Sequence, residues 1–109
     1  MNCKPYPLAS ISDIAGLRVT VMGLGLNGGG LATARFMASH GALVTVTDRK
    51  TAVELQPSID ALSAFPSIRY VLGTYELEDF STADVVIKNP GVKLEGNQYL
   101  EVAPAIESD

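Results

Sequence analysis

Val19-Thr20-Val21-Met22-Gly23-Leu24-Gly25-Leu26-Asn27-Gly28 is the stretch that decides the fold. A short β-branched run, a Gly-x-Gly-x-x-Gly turn and a long Ala-rich segment behind it predict a strand, a tight loop and a helix. That succession is the phosphate-cradling unit of nucleotide-binding α/β domains. Gly23 suits the turn off the strand, Gly25 leaves backbone open to a phosphate, and Gly28 suits close packing of the helix on the sheet. The start of the helix adds free N–H groups and a partial positive charge. Asn27 is a candidate N-cap or a ligand-facing amide.

Further strands and helices follow in alternation. Strands are predicted over residues 18–22, 43–47, 68–72 and 84–88, with a fifth beginning at Ile106-Glu107. Helices are predicted over about 27–40, from 53 or 55 to 64, and over 98–102, with Gly41 stopping the first and Pro57 in the first turn of the second. Such alternation predicts βαβ units, hence a Rossmann-like three-layer α/β domain with a parallel sheet of about five strands in the order 3-2-1-4-5. The domain is expected over residues 17–109, with residues 1–16 a loose lead-in whose Ile11 and Ile14 pack on the sheet edge. In that order the loops after strands one and four face each other across a crevice at the carboxyl ends, where open α/β sheets bind ligands.

Composition limits the partners. A chain of 109 residues, 47% apolar and 18% charged, has one core and folds. Its net charge of −4 argues against nucleic acid or an anionic membrane as partner. Cys3 is alone, which excludes an internal disulfide and suits a reducing cytoplasm. No apolar run nears the roughly 18–20 residues that span a bilayer, and residues 1–12 lack a signal-peptide core.

Three segments converge on the crevice. Asp48 ends strand two, twenty residues after Gly28, where an acid commonly bonds a ribose hydroxyl; the alternative is a strand-end turn residue. Arg49 and Lys50 either meet phosphate or base, or are simply solvated. Asn89-Pro90-Gly91 is either a ligand loop, stiffened by Pro90 and opened by Gly91, or an ordinary strand-to-helix turn. His40 reads as a cation at a helix C-terminus, and Glu76, Glu78 and Asp79 as a solvated acidic loop. No P-loop pattern occurs, and no metal cluster or catalytic residue is assigned.

These residues resemble a known family. The stretch Val19 to Gly28 is similar to the opening of the Mur ligases, especially their D-glutamate-adding members. Ala83-Asp84-Val85-Val86-Ile87-Lys88-Asn89-Pro90-Gly91-Val92 resembles the family's Ala-Asp-x-Val/Ile-Val/Ile-x-Ser-Pro-Gly-Ile/Val segment. Thr47, Asp48 and the basic pair match its strand-two end, and residues 106–109 the start of its fifth strand. The resemblance covers residues 17–109 and implies the first of three ligase domains, which in the family binds the UDP part of UDP-N-acetylmuramoyl-L-alanine. By the same resemblance, Leu26, Asn27 and Gly28 meet the diphosphate, beside the backbone that Gly25 leaves open to it. Asp48 and Arg49 hold the uracil end, Lys50 flanks it, and Asn89, Pro90 and Gly91 complete the pocket. Two positions depart from the pattern: Asn27 stands for Thr or Ser, and Arg49-Lys50 for Thr-Arg.

The expectation is therefore a cytoplasmic, peptidoglycan-precursor ligase whose ATP, Mg²⁺ and catalytic groups belong to domains absent from this chain, which alone is inactive. The rival expectations are an NAD-binding domain of an oxidoreductase and a non-enzymatic nucleotide-sensing domain.

Overall fold

The computed structural model describes residues 14–24, 29–88 and 97–108. Five strands, β1 (Arg18–Met22), β2 (Leu43–Asp48), β3 (Arg69–Leu72), β4 (Val85–Lys88) and β5 (Ile106–Ser108), alternate with four helices: α1 (Gly29–Ser39), α2 (Gln56–Ala61), α3 (Leu77–Ser81) and α4 (Gln98–Glu101). The sheet order is β3-β2-β1-β4-β5 and every pair is parallel. The order of the first four strands is the one expected from the βαβ alternation, and β5 is a three-residue edge strand beside β4.

Each face of the sheet has its own core. Val19, Val21, Val44, Val46, Val85 and Ile87 pack with Ala34 and Met37 of α1 and with Leu55 and Leu62, which bracket α2. Met22 and Val86 pack on the other face with Phe80 of α3 and Leu100 of α4. The central strands are thus buried on both sides, as a parallel sheet covered by helices requires; the second face is mixed, with Thr20 and Thr47 buried beside Met22 and Val86. Ile14, 2% exposed, belongs to the first core, so the packing reaches back into the predicted lead-in. Ile11 lies outside the described residues.

Local chemistry sets the element ends. At the end of α1, the N–H of Gly41 donates to the Ala38 carbonyl and that of Ala42 to the Met37 carbonyl, the paired pattern of a Schellman stop. After β2, Thr51 and Glu54 cap reciprocally: Glu54 Oε1 accepts from the Thr51 N–H at 3.0 Å, and Thr51 Oγ1 accepts from the Glu54 N–H at 3.4 Å. Asn97 Oδ1 caps α4 by accepting from the Tyr99 and Leu100 N–H groups at 3.0 and 3.2 Å. His40 sits just past α1 with Nδ1 2.8 Å from the Phe36 carbonyl.

The acidic connection over residues 74–83 holds the short helix α3, the one helical turn the sequence allows there. Its departure from expectation is Asp79, which is buried, not solvated. The neighbouring Phe80 is fully buried in the second core and draws Asp79 inward with it. The Asp79 carboxylate is held at Oδ1 by Arg69 Nη1 at 2.6 Å, and its backbone carbonyl accepts from Thr20 Oγ1 at 2.6 Å. At the amino end of β1, Asp84 accepts from both the backbone and the guanidinium of Arg18. Those bonds hold its carboxyl below the usual carboxylate range.

One glycine sets how closely α1 approaches β1. A Cβ on Gly30 would overlap the Gly23 carbonyl oxygen and stand 2.6 Å from the Leu24 oxygen and 2.9 Å from the Leu24 Cα. All three are backbone atoms with little freedom to yield. Gly30→Ala is therefore expected to lower unfolding stability by about 3 kcal/mol or more, the upper part of the range for overpacked cores. In a thermal melt that corresponds to a fall of more than about 10 °C; an unchanged midpoint would show that α1 is free to retreat from the loop.

Candidate functional site

The carboxyl ends of β1, β2 and β3 are tied together at Asp48. Register aligns Met22 with Thr47 in β2 and with Lys88 in β4, and Asp48 with Leu72 in β3. The loops leaving these strands therefore start level. Gly23 turns the chain off β1 with φ 95°, which a glycine adopts without strain, and its N–H donates to the Thr47 carbonyl at 2.8 Å. One residue on, the N–H of Leu24 donates to Asp48 Oδ2 at 2.9 Å. The other carboxylate oxygen, Oδ1, accepts from the Lys50 N–H at 2.9 Å.

The Asp48 backbone serves the third strand. Its carbonyl accepts from the Gly73 N–H at 2.9 Å, the Lys50 carbonyl accepts from the same N–H at 3.0 Å, and Asp48 forms an isolated antiparallel bridge with Thr74. One residue thereby fixes the loop after β1, the loop after β2 and the turn after β3. Asp48 is 9% exposed and Leu24 wholly buried, so the bond between them is shielded from water. Asp48 makes the contacts of a strand-end turn residue, on the rim where a ligand residue was expected.

Beyond Asp48 the two basic residues part. The Arg49 guanidinium lies over the Tyr75 ring, with Cζ 5.4 Å from its centroid. Tyr75 meets Phe80 edge-on at 5.9 Å and Tyr99 edge-on at 5.1 Å. Burial, with the Asp48 charge behind it, raises the Tyr75 phenol above its ordinary pKa, so the hydroxyl stays protonated at neutral pH. Lys50 is exposed and contributes its backbone to the Asp48 junction. Gly25, Leu26, Asn27, Gly28, Asn89, Pro90 and Gly91 lie outside the described residues; the described chain stops at Leu24 before the first group and resumes at Asn97, the N-cap of α4, after the second.

Tyr75 was not found by sequence reasoning. The signal was present: an aromatic two residues past Gly73, which stops β3, falls on the same rim as Asp48. A separate cavity of about 260 Å³ opens at the amino ends of the strands, lined by Arg18, Thr20, Thr45, Arg69, Asp79 and Thr82. It lies at the opposite end of the sheet from the glycine loop. Among the described residues no three His, Cys, Asp or Glu side chains gather as metal ligands, and no helix is long and apolar enough to cross a membrane.

A family model described as the N-terminal domain of MurD-like Mur ligases matches residues 17–107. The chain belongs to this family. The MurD-like match takes in β1 to β4, the first two residues of β5 and the rim at Asp48. Among curated relatives, a protein of Borreliella burgdorferi named UDP-N-acetylmuramoylalanine--D-glutamate ligase is 51% identical over 100 residues, 91% of this chain and 22% of that protein. Proteins of the same name from Treponema pallidum and Roseiflexus are 54% identical over 83% of the chain and 48% identical over 85%. The chain spans about a fifth of the length of these relatives.

The junction makes a prediction that needs no ligand. Asp48→Ala strands the buried Leu24 N–H and frees the Lys50 N–H, and is expected to cost about 2–3 kcal/mol, as lost bonds to a charged acceptor do. Asp48→Asn keeps one acceptor oxygen and should cost about 1 kcal/mol. Urea unfolding of the ligand-free chain measures both; equal stability of Asp48→Ala and the parent would remove Asp48 from its structural role.

Proposed function

We propose that this chain is the substrate-binding, N-terminal domain of an ATP-dependent D-glutamate-adding ligase in peptidoglycan precursor synthesis, and that it holds the UDP end of UDP-N-acetylmuramoyl-L-alanine. The observation that carries the reading is the Asp48 junction. It joins the glycine loop to the end of β2 at the carboxyl rim of a chain of this family. The names of the relatives supply the substrate class.

On this reading residues 25–28 give the diphosphate backbone N–H groups and the positive end of α1. Asp48 acts through the Leu24 amide, fixing where that loop begins, and with Arg49 closes the uracil end. Lys50 flanks the base end, and Asn89, Pro90 and Gly91 form the far wall, across the β1–β4 switch point. Residues 17–109 form the domain and residues 1–16 lead into it. A handle of this kind contributes binding energy and orientation far from the reacting carboxylate.

ATP with Mg²⁺ supplies the phosphoryl group that activates that carboxylate. Its site is assigned to the rest of the ligase, because this sequence has no Gly-x-x-x-x-Gly-Lys-Ser/Thr segment. On this reading the ligase acts in the cytoplasm, a reducing compartment that the single Cys3 suits.

Paired NMR titrations of the chain test the reading. UDP is expected to shift the amides of residues 24–28, 48–50 and 91, while NAD leaves them in place and the chain alone shows no ligase turnover. Shifts caused by NAD with silence from UDP would contradict it and favour a dehydrogenase coenzyme domain.

A further inference from the structure

The basic pair after Asp48 leaves open which side chain builds the base-side wall of the site, and a residue outside the glycine loop and both basic positions decides it. We propose that Tyr75 is a positioning residue for the nucleotide: its ring carries the Arg49 guanidinium, and this stacked pair is the platform on which the pyrimidine base lies. The proposal rests on the uridine-nucleotide reading above.

Arg49 is exposed, and an exposed arginine samples many rotamers. A guanidinium within about 6 Å of an aromatic centroid is attracted to the ring face. At 5.4 Å from Tyr75, Arg49 is held in that range. Tyr75 is itself packed against two further rings. It is half-buried, edge-on to Phe80 with an interplanar angle of 81° and edge-on to Tyr99 with one of 70°. Phe80 is fully buried in the second core, so the stack runs from the protein interior to the surface cation.

Position on the rim gives the stack its use. Arg49 follows the residue that anchors the glycine loop, and Tyr75 follows Thr74, which bridges to that same residue. A diphosphate at the β1 loop therefore leaves its nucleoside directed over β2 toward β3, the side on which the Arg49–Tyr75 pair stands. A planar guanidinium with one face on an aromatic ring presents its other face to a planar base. Tyr99 belongs to α4, which begins one residue after the capping Asn97, so the aromatic trio ties α4 to the rim. Lys50 carries a compact point charge with no plane to stack and does not serve as platform.

The test uses the 109-residue chain with two probes, UDP and inorganic pyrophosphate, the second having no base. Tyr75→Leu is expected to weaken UDP about two- to five-fold, the range for loss of one exposed cation–π contact, and to leave pyrophosphate unchanged. Tyr75→Phe, which keeps the ring, should bind both as the parent does. In NMR spectra the Arg49 Nε–H resonance should be shifted by the ring current in the parent and in Tyr75→Phe, and should lose that shift in Tyr75→Leu. UDP binding by Tyr75→Leu equal to the parent would overturn the proposal and leave the nucleotide reading standing. Equal weakening of UDP and pyrophosphate would also overturn it, by showing a general structural loss. A parent chain that binds pyrophosphate but not UDP would overturn both.

Discussion

The carboxylate of Asp48 is the point on which the rim depends. A parallel sheet brings the ends of its strands level but leaves each following loop to find its own course. Here one buried side chain accepts the first buried N–H after the Gly23 turn and the N–H of Lys50, while its backbone receives the turn after β3. Three loops that sequence separates by tens of residues are thereby referred to one group. Bonds from neutral amides to an ionised acceptor are stronger than those between neutral partners, which suits a junction that must hold before any ligand arrives.

Around that junction the two cores divide the work. Ala34 and the Gly30 approach bring α1 onto β1 closely enough to aim its amino end at the loop. On the other face, Phe80 anchors α3, and through Tyr75 and Tyr99 the second core reaches the rim. Positioning of a prospective base therefore draws on the α3 face, and positioning of a prospective phosphate on the α1 face. The crevice of a doubly wound sheet lies where these two coverings change sides.

Much of the fold was legible because it is written in repeating terms. β-branched runs buried on both faces, Gly41 as a helix stop and Pro57 in a first turn each have a local cause, and their alternation fixes a parallel sheet. Asp48 was legible as a position, from its distance to the glycine loop, and as a possible strand-end turn residue, but its partner was not, because the Leu24 N–H that it accepts from is 24 residues away in sequence. Asp79 was misread as solvated, since its partner Arg69 sits on β3 and its burial follows from Phe80 beside it. Gly30 and Tyr75 escaped notice for the same reason: a close approach and a stack are made by the fold, and no spacing rule announces them. Gly25 to Gly28 and Asn89 to Gly91 lie outside the described residues, and their part in the site stands on the sequence and its resemblance.

A crystal structure of the chain grown with UDP tests the central claim most directly, because it reports position as well as binding. The account predicts density for the diphosphate against residues 25–28, with the Leu24–Asp48 bond intact beneath it and the uracil on the β2–β3 side of the rim. A nucleotide seated at the amino ends of the strands, in the cavity lined by Arg18, Arg69 and Asp79, would contradict it, as would a diphosphate that displaces Leu24 from Asp48.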